Sequence, residues 1–359
     1  MGNGVHYNWQ KTYTYNAVIN IIVTARGFGK TYGARLKAVQ DFIKDGSRFV
    51  EIVRHKESLK GESAVQAGYF DKLILNNEFK GYVFKTQGTR AYIAKEPADG
   101  KKPNWNLIGY FVALTEMQNT KQRTFANVKS VIFDEFIIDR RTGYRYLQGE
   151  FNLFANLLDS IIREEVNDDG TTKGTKVRVY MLGNACDLTN PYFIHWGINK
   201  QPREGYSWYA GKTVLLHYAK DEVYQEGKKK TLVGKLVSGT AEESIIVNNI
   251  FNSGDEYNIM DKTSNSLFEY GIVYNSQKFG IWVDNKNGYI FINDKIPDGS
   301  GKPVMALTKE DNTVNYIQVR RGEKTLKMLM DMYYMDVVRF KNVGIRDRFL
   351  EAMQLFGVN

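Results

Sequence analysis

Residues 21–32 read IIVTARGFGKTY, an apolar run that breaks into a loop punctuated by Gly27 and Gly29 and closing on Lys30-Thr31. A strand that stops at such a loop and continues as a helix directs backbone N–H groups and a helix N-terminus at an anion. The order Gly29-Lys30-Thr31 is the second half of a phosphate-binding P-loop, in which the lysine neutralises the β and γ phosphates and the hydroxyl holds Mg²⁺. The first glycine of GxxxxGK[ST] is replaced by Thr24. A glycine-rich turn with Lys30 in solvent is the competing reading of this window alone, so a second motif has to decide.

That motif lies about a hundred residues downstream. Ser130-Val-Ile-Phe-Asp134-Glu135-Phe136 is an apolar strand ending in two carboxylates. Beside a phosphate loop, one of these carboxylates would hold the Mg²⁺ water shell and the other would orient or deprotonate an attacking water. Hydrophobic runs ending in acids are common; paired with a P-loop at this separation, which leaves room for further strands, they point to ATP hydrolysis. A third strand, Val177–Leu182, feeds Gly183-Asn184, and Asn184 is placed to sense the γ phosphate, or to serve as an ordinary strand-ending asparagine. Arg163, at the end of an amphipathic helix over 151–162, is the candidate arginine finger, with helix-dipole compensation as the plain alternative. Arg26 and Gly27 inside the loop, and Tyr32 just after it, complete the nucleotide-contacting candidates with Thr24, Gly29, Lys30 and Thr31.

Around these motifs the pattern is a βαβ unit: a helix over 32–43, closed by Lys44-Asp45-Gly46, then a strand over 48–53. A helix over 63–78, a hairpin over 80–94, an exposed Pro/Gly/Lys-rich loop over 95–106 and a strand over 107–114 follow. Alternating strands and helices imply an α/β fold, a mostly parallel sheet with helices on both faces. From about residue 207 strands dominate (208–217, 231–237, 268–274, 279–283, 289–292), with a hairpin turn at 285–288 and helices over 326–340 and 345–356. The expected organisation is a P-loop ATPase domain over 1–205, a connector over 206–253 and a smaller α+β domain over 254–359.

Composition bounds the remaining choices. With 359 residues, 43% of them apolar, the chain can bury two cores. No apolar run approaches a membrane span, and the N-terminus lacks signal-peptide features, so a soluble intracellular protein is expected. A single cysteine, Cys186, leaves no internal disulfide, and four scattered histidines argue against a histidine metal cluster. Residues 1–205 hold 29 basic and 21 acidic side chains, whereas the remainder holds 20 and 19. Nearly all of the +9 net charge therefore sits with the P-loop half, where a polyanion would bind. Lys101, Lys102, Lys121 and Arg123 before the acidic strand, and Arg140, Arg141 and Arg145 after it, are as a set the candidate contacts for that polyanion's phosphates, while each taken singly reads as a solvated loop side chain.

Together, ARGFGKTY at 25–32, FVEIVRHK at 49–56, NVKSVIFDEF at 127–136, LLDSIIR at 157–163, LGNACDLTNPYF at 182–193 and GIVYNSQKFGIWVDNKNGYIFI at 271–292 resemble the DNA-packaging ATPases of phi29-type tailed phages, small relatives of the large terminases. The resemblance spans nearly the whole chain. It implies an ASCE/RecA-like ATPase domain and a vestigial RNase H-like domain. It also implies a homopentameric ring docked beneath a portal, driving double-stranded DNA into a procapsid in the host cytoplasm, in some members with a structural RNA. It makes Lys30 and Thr31 the Walker A residues, Asp134 and Glu135 the Walker B pair, Arg163 a trans-acting finger, and Asn184 part of the coupling motif. Arg54 and Lys56 match a basic segment near the subunit interface, and Arg320, Arg321, Lys324 and Lys327 are candidates for the portal-associated partner. Asp284 ends a strand without an obvious second acidic partner, so nuclease activity is not expected. A P-loop nucleoside or metabolite kinase, and a non-catalytic DNA-binding portal adaptor, are the alternatives.

Overall fold

The computed structural model describes residues 6–357 apart from 61–64, 99–100, 117–123, 140–143, 145, 148, 165–166, 168, 170, 172–173, 189, 199–201, 241–242, 244–245, 252–257 and 336. The chain forms two compact units, Met1–Asn252 and Ser253–Asn359.

The first unit is organised by the apolar runs seen in the sequence. Strands β1 (Ile19–Val23), β2 (Arg48–Val53), β5 (Asn106–Ala113), β6 (Val128–Asp134), β7 (Arg178–Gly183) and β9 (Val214–Tyr218) lie parallel. The hairpin of β3 (Tyr82–Gln87) and β4 (Arg90–Lys95) adds antiparallel strands at one edge, and β8 (Gly205–Tyr209) adds one at the other. The sheet order is β3-β4-β5-β2-β6-β7-β1-β9-β8. The acidic strand β6 is thus separated from the P-loop strand β1 by β7, the strand that leads into Asn184, and all three open onto the same edge.

The central strands are buried along almost their whole length because helices cover both faces. On one face α1 (Trp9–Thr14), α2 (Lys30–Asp45) and α3 (Asp71–Leu75) pack Trp9, Ala34, Ala38, Val39 and Leu73 against Ile22, Ile132 and Leu182. On the other, α4 (Glu150–Ile162) and α5 (Pro191–His195) bring Phe154, Leu157, Tyr192 and Phe193 onto Phe133, Val179 and Met181. Gly33 is required by this packing, since a Cβ there would lie 1.9 Å from Trp9 Nε1.

Several local expectations change. The helix expected over 63–78 is reduced, among the described residues, to α3. The single strand expected over 208–217 is the β8–β9 hairpin, broken by a turn at Ala210–Lys212, and β9 pairs with β1. The boundary drawn at 205 therefore meets the start of β8, inside the first unit. The strand expected over 231–237 is a helix: α6 (Glu222–Lys229) is followed by α7 (Leu232–Leu236), started by Thr231, whose hydroxyl accepts from Gly234 N at 3.1 Å. A side-chain cap of this kind outweighs the weak β preference of a short apolar stretch.

The second unit has a mixed sheet, β14-β13-β10-β11-β12-β15. Strands β10 (Leu267–Tyr274), β11 (Gln277–Asp284) and β12 (Tyr289–Asn293) are antiparallel. Strands β13 (Val304–Ala306), β14 (Ile317–Gln318) and β15 (Val338–Phe340) join in parallel. Its core combines Ile272, Phe279, Ile281 and Ile292 with Leu326, Leu329 and Met330 of α8 (Lys324–Tyr334) and Phe349, Ala352 and Met353 of α9 (Val343–Leu355). The helix expected over 326–340 stops at Tyr334, and the chain re-enters the sheet as β15.

Candidate nucleotide site at the strand ends

The carboxyl ends of parallel strands are where ligands bind in open α/β sheets. Here a cleft of about 600 Å³ opens there, lined by Arg26, Arg35, Glu51, Asp134, Glu135 and Asn184, among others.

The phosphate loop takes its shape from two glycines. Gly27 and Gly29 have φ of 84° and 89°, a region that residues with a Cβ rarely enter, and Gly29 caps α2 so that its first turn faces the loop. Thr24 needs no such freedom. It is fully buried and absent from the left-handed positions, and its N–H donates to Gly183 O at 3.2 Å, continuing the β1–β7 ladder one residue past the strand. Thr24, in place of the first P-loop glycine, is thus not one of the positions where the loop's backbone is left-handed.

Lys30 and Thr31 each reach a residue from a different strand. Lys30 Nζ donates to Asn184 Oδ1 at 2.7 Å, and Thr31 Oγ1 donates to Asp134 Oδ2 at 2.8 Å. Lys30 is buried, and burial lowers its pKa while the carboxylates of Asp134 and Glu135 act in the opposite sense. The sequence-derived constellation of Lys30, Thr31, Asp134 and Asn184 is therefore brought together within hydrogen-bond reach. Glu135 is exposed at the cleft, with a left-handed backbone at φ 54° and its N–H donated to Asp134 Oδ1 at 3.0 Å.

The turn that presents Glu135 is held from behind by Arg54. Its guanidinium forms a bidentate pair with Glu150 at 2.8 and 2.9 Å and donates to the carbonyls of Phe136 at 2.9 Å and Glu135 at 3.4 Å. Glu150, 1% exposed, also accepts from Tyr192 Oη and Leu147 N, both at 2.8 Å. Arg54, expected near a subunit interface, is thus turned inward on the α4 side of the sheet. Lys56 is half exposed and pairs with Glu116.

On the α2 side lies a group that the motifs did not reveal. Glu51, 1% exposed in the middle of β2, accepts from Arg35 Nη2 at 3.1 Å and Tyr69 Oη at 2.9 Å, and Arg35 also stacks on the Tyr69 ring at 4.1 Å. Burial raises the Glu51 pKa and the Arg35 charge opposes the rise. An acid inside the apolar run FVEIV was its only signal in the sequence. The P-loop also has an outer brace. Tyr7 N donates to Phe28 O at 2.9 Å, Tyr224 Oη donates to Arg26 O at 2.8 Å, and the Tyr224 ring packs 4.8 Å from Phe28.

Other candidates are placed elsewhere. The Tyr32 hydroxyl is engaged by Glu78 and Asn76. Arg163 caps the far end of α4, with φ 43° and its Nε donated to Ser160 O at 3.1 Å. The thirteen residues of α4 put it about 20 Å along the helix from Glu150. Lys101 and Lys102 are exposed in the loop before β5. Lys121, Arg123, Arg140, Arg141 and Arg145 lie outside the described residues.

The donor set fits a nucleotide with a hard divalent cation. Thr31 Oγ1 and the Asp134 carboxylate supply the oxygen ligands that suit Mg²⁺, and the buried Lys30 ammonium and the loop N–H groups suit phosphates.

Comparison with known proteins finds relatives along nearly the whole chain. The chain is 28% identical over 349 residues to the DNA packaging protein of Bacillus phage phi29, covering 97% of this chain and 96% of that one. It is 29% identical over 350 residues to the DNA packaging protein of Bacillus phage PZA, with the same coverage. Its fold matches a chain in the bacteriophage Phi-29 viral genome packaging motor assembly with a TM-score of 0.68 at 26% identity, covering 98% of this chain and 100% of that one. A Phi-28 gp11 DNA packaging motor structure shares the fold, with a TM-score of 0.64 at 17% identity over 98% of each chain. The sequence profile of the podovirus DNA encapsidation protein (Gp16) matches residues 1–356, and the chain belongs to that family.

Proposed function

We propose that this chain is the ATPase of a phage DNA-packaging motor, hydrolysing ATP at the strand-end cleft to drive double-stranded DNA through a portal into a procapsid. The observation that carries this reading is the convergence of Lys30 on Asn184 and of Thr31 on Asp134, from three separate stretches of sequence, at one sheet edge. Lys30 and the loop N–H groups bind the β and γ phosphates, and Asn184 reports on the γ phosphate through its contact with Lys30. Thr31 and Asp134 would hold Mg²⁺, which when bound neutralises charge on the phosphate oxygens. Glu135, exposed on the turn clamped by Arg54, orients or deprotonates the attacking water.

The finger Arg163 acts on a neighbouring subunit's nucleotide, so the working form is a ring, a homopentamer. Its position at the opposite end of α4 from Glu150 supports a role away from its own cleft. DNA is held through phosphates by Lys101 and Lys102 together with Lys121, Arg123, Arg140, Arg141 and Arg145, consistent with the basic excess of residues 1–205. The second unit is a vestigial RNase H-like domain that docks on the portal or a structural RNA through Arg320, Arg321, Lys324 and Lys327, all exposed around the start of α8. The motor works in the host cytoplasm, attached to the procapsid.

The test is ATP hydrolysis with and without duplex DNA at several salt concentrations, with the oligomeric state measured in the same samples. Stimulation by DNA that weakens with salt is expected. Hydrolysis indifferent to DNA would favour a kinase-like enzyme, and no hydrolysis under any condition would leave a binding protein.

A further inference from the structure

Beyond the residues assigned above, the end of the first unit contains a knot centred on Asn249. This side chain is fully buried, and its backbone has φ 48°, a left-handed conformation that asparagine adopts more readily than most residues. Its Oδ1 accepts from Ala185 N at 3.2 Å, and its Nδ2 donates to Ala219 O at 3.2 Å and Val23 O at 3.4 Å. Those three backbone groups follow β7, follow β9 and end β1. They are the residue after the sensor Asn184, the exit toward α6, and the last residue before the phosphate loop. Tyr218 Oη fixes the knot further by donating to Asn249 O at 2.5 Å, and Ala219 N donates to Val23 O at 3.0 Å.

A second tie runs alongside. On α6, Tyr224 donates to the carbonyl of Arg26 in the phosphate loop, and Gln225 Nε2 donates to Asn248 O at 3.1 Å. Gly27 lies directly under this helix: a Cβ there would be 2.8 Å from Tyr224 Oη. The segment read from sequence as a connector therefore grips the nucleotide loop at its start, through Val23, and midway along it, through Arg26. Asn249 is three residues from the last residue of the unit, Asn252, after which the chain enters the second unit.

We propose that Asn249 is a positioning residue for hydrolysis, holding the Asn184–Ala185 turn and the P-loop strand in register, and that it passes the state of the Lys30–Asn184 contact to the chain leading into the second unit. This rests on the ATPase reading above. The physical basis is that one buried amide side chain uses its acceptor and a donor group on three strand ends, where losing a partner leaves buried polar groups unsatisfied. A shift of Asn184 when the γ phosphate leaves Lys30 would move Ala185 N, and with it the Asn249 amide.

Two variants of the full chain test this. Asn249→Gly keeps the left-handed backbone without strain and removes all three contacts; Tyr218→Phe leaves the amide in place but unfastens its backbone. Each is measured for fluorescent ATP-analogue binding, kcat and KM for hydrolysis, and ATP consumed per base pair packaged, beside wild type and Lys30→Ala. For Asn249→Gly the expected result is unchanged nucleotide affinity, a kcat lower by about tenfold, and more ATP consumed per base pair. Tyr218→Phe should shift the same quantities in the same direction by less. Wild-type kcat and wild-type ATP per base pair in both variants would overturn the proposal while leaving the ATPase reading intact. A loss explained wholly by fewer folded molecules, with the remaining ones turning over normally, would overturn it too. Absence of hydrolysis in wild type would overturn the ATPase reading and this proposal with it.

Discussion

Two aspartates end similar apolar runs, VIFD at 131–134 in the first unit and IWVD at 281–284 in the second, and they have opposite fates. Asp134 is half-buried at the cleft, where it meets Thr31 Oγ1 and Glu135 N. Asp284 is fully buried and accepts from Thr263 Oγ1, Lys286 N, Asn287 N and Asn287 Nδ2, at 2.5, 3.0, 3.0 and 2.8 Å. The difference follows from strand direction. Parallel strands end side by side and their connections leave the edge, so an acid there faces open space shared with the ends of other strands. An antiparallel hairpin folds straight back, and its turn supplies donors that close over the acid. Asp134 is left available to a ligand, whereas Asp284 has become the pin of a turn.

The contrast can be broken most forcefully at the residues that make the first cleft chemical. Lys30→Ala should reduce ATP turnover by at least about a hundredfold, since it removes the buried cation from the candidate phosphate site; steady-state kinetics at saturating ATP would show it. Arg54→Ala should lower unfolding free energy by about 3–5 kcal/mol, because it strands the buried Glu150 carboxylate, and it should also loosen the turn that carries Glu135. Urea unfolding that changes by less than 1 kcal/mol, as an order of magnitude, would deny that role.

Arg163 sharpens the comparison across subunits. Mixing Arg163→Ala with Glu135→Gln subunits should restore some hydrolysis at mixed interfaces, and no recovery at any ratio would count against a finger acting in trans. A smaller effect concerns the brace on the phosphate loop. His217 accepts or donates at 2.7 Å to Tyr7 Oη, and burial, then the Lys11 charge, lowers its pKa to about 4. The unfolded chain takes up a proton near 6.5 and the folded one does not, so stability should fall as pH drops from about 6.5 towards 4. His217→Gln should flatten that part of the stability curve.

Much of the cleft was legible because each chemical residue sits where an apolar run stops: Lys30-Thr31 after β1, Asp134-Glu135 after β6, Asn184 after β7. The parallel sheet was legible for the same reason. What periodicity could not supply was pairing over long separations. Nothing local in the run Val214–Tyr218 says that it docks beside β1, so the hairpin was assigned to a connector. Arg35 and Glu51 are sixteen residues apart on a helix and a strand, and only the crossing of α2 over β2 makes them partners. Asn249 was equally invisible, since nothing local to the short apolar run IIVNNIF at 245–251 says that three strand ends converge on its second asparagine. Thr24 departs from the P-loop pattern at a position without a left-handed backbone; the loop's left-handed positions fall at Gly27 and Gly29.

The most direct measurement sets Glu135→Gln beside Asp284→Asn in DNA-stimulated ATP turnover, with nucleotide binding and thermal melting on the same samples. Glu135→Gln should bind ATP with near wild-type affinity and melt normally while turnover falls by about 10²–10⁴-fold. Asp284→Asn should melt at a lower temperature and, in the folded fraction, hydrolyse ATP at the wild-type rate. Undiminished turnover in Glu135→Gln would contradict the assignment of the chemistry to the ends of the parallel strands.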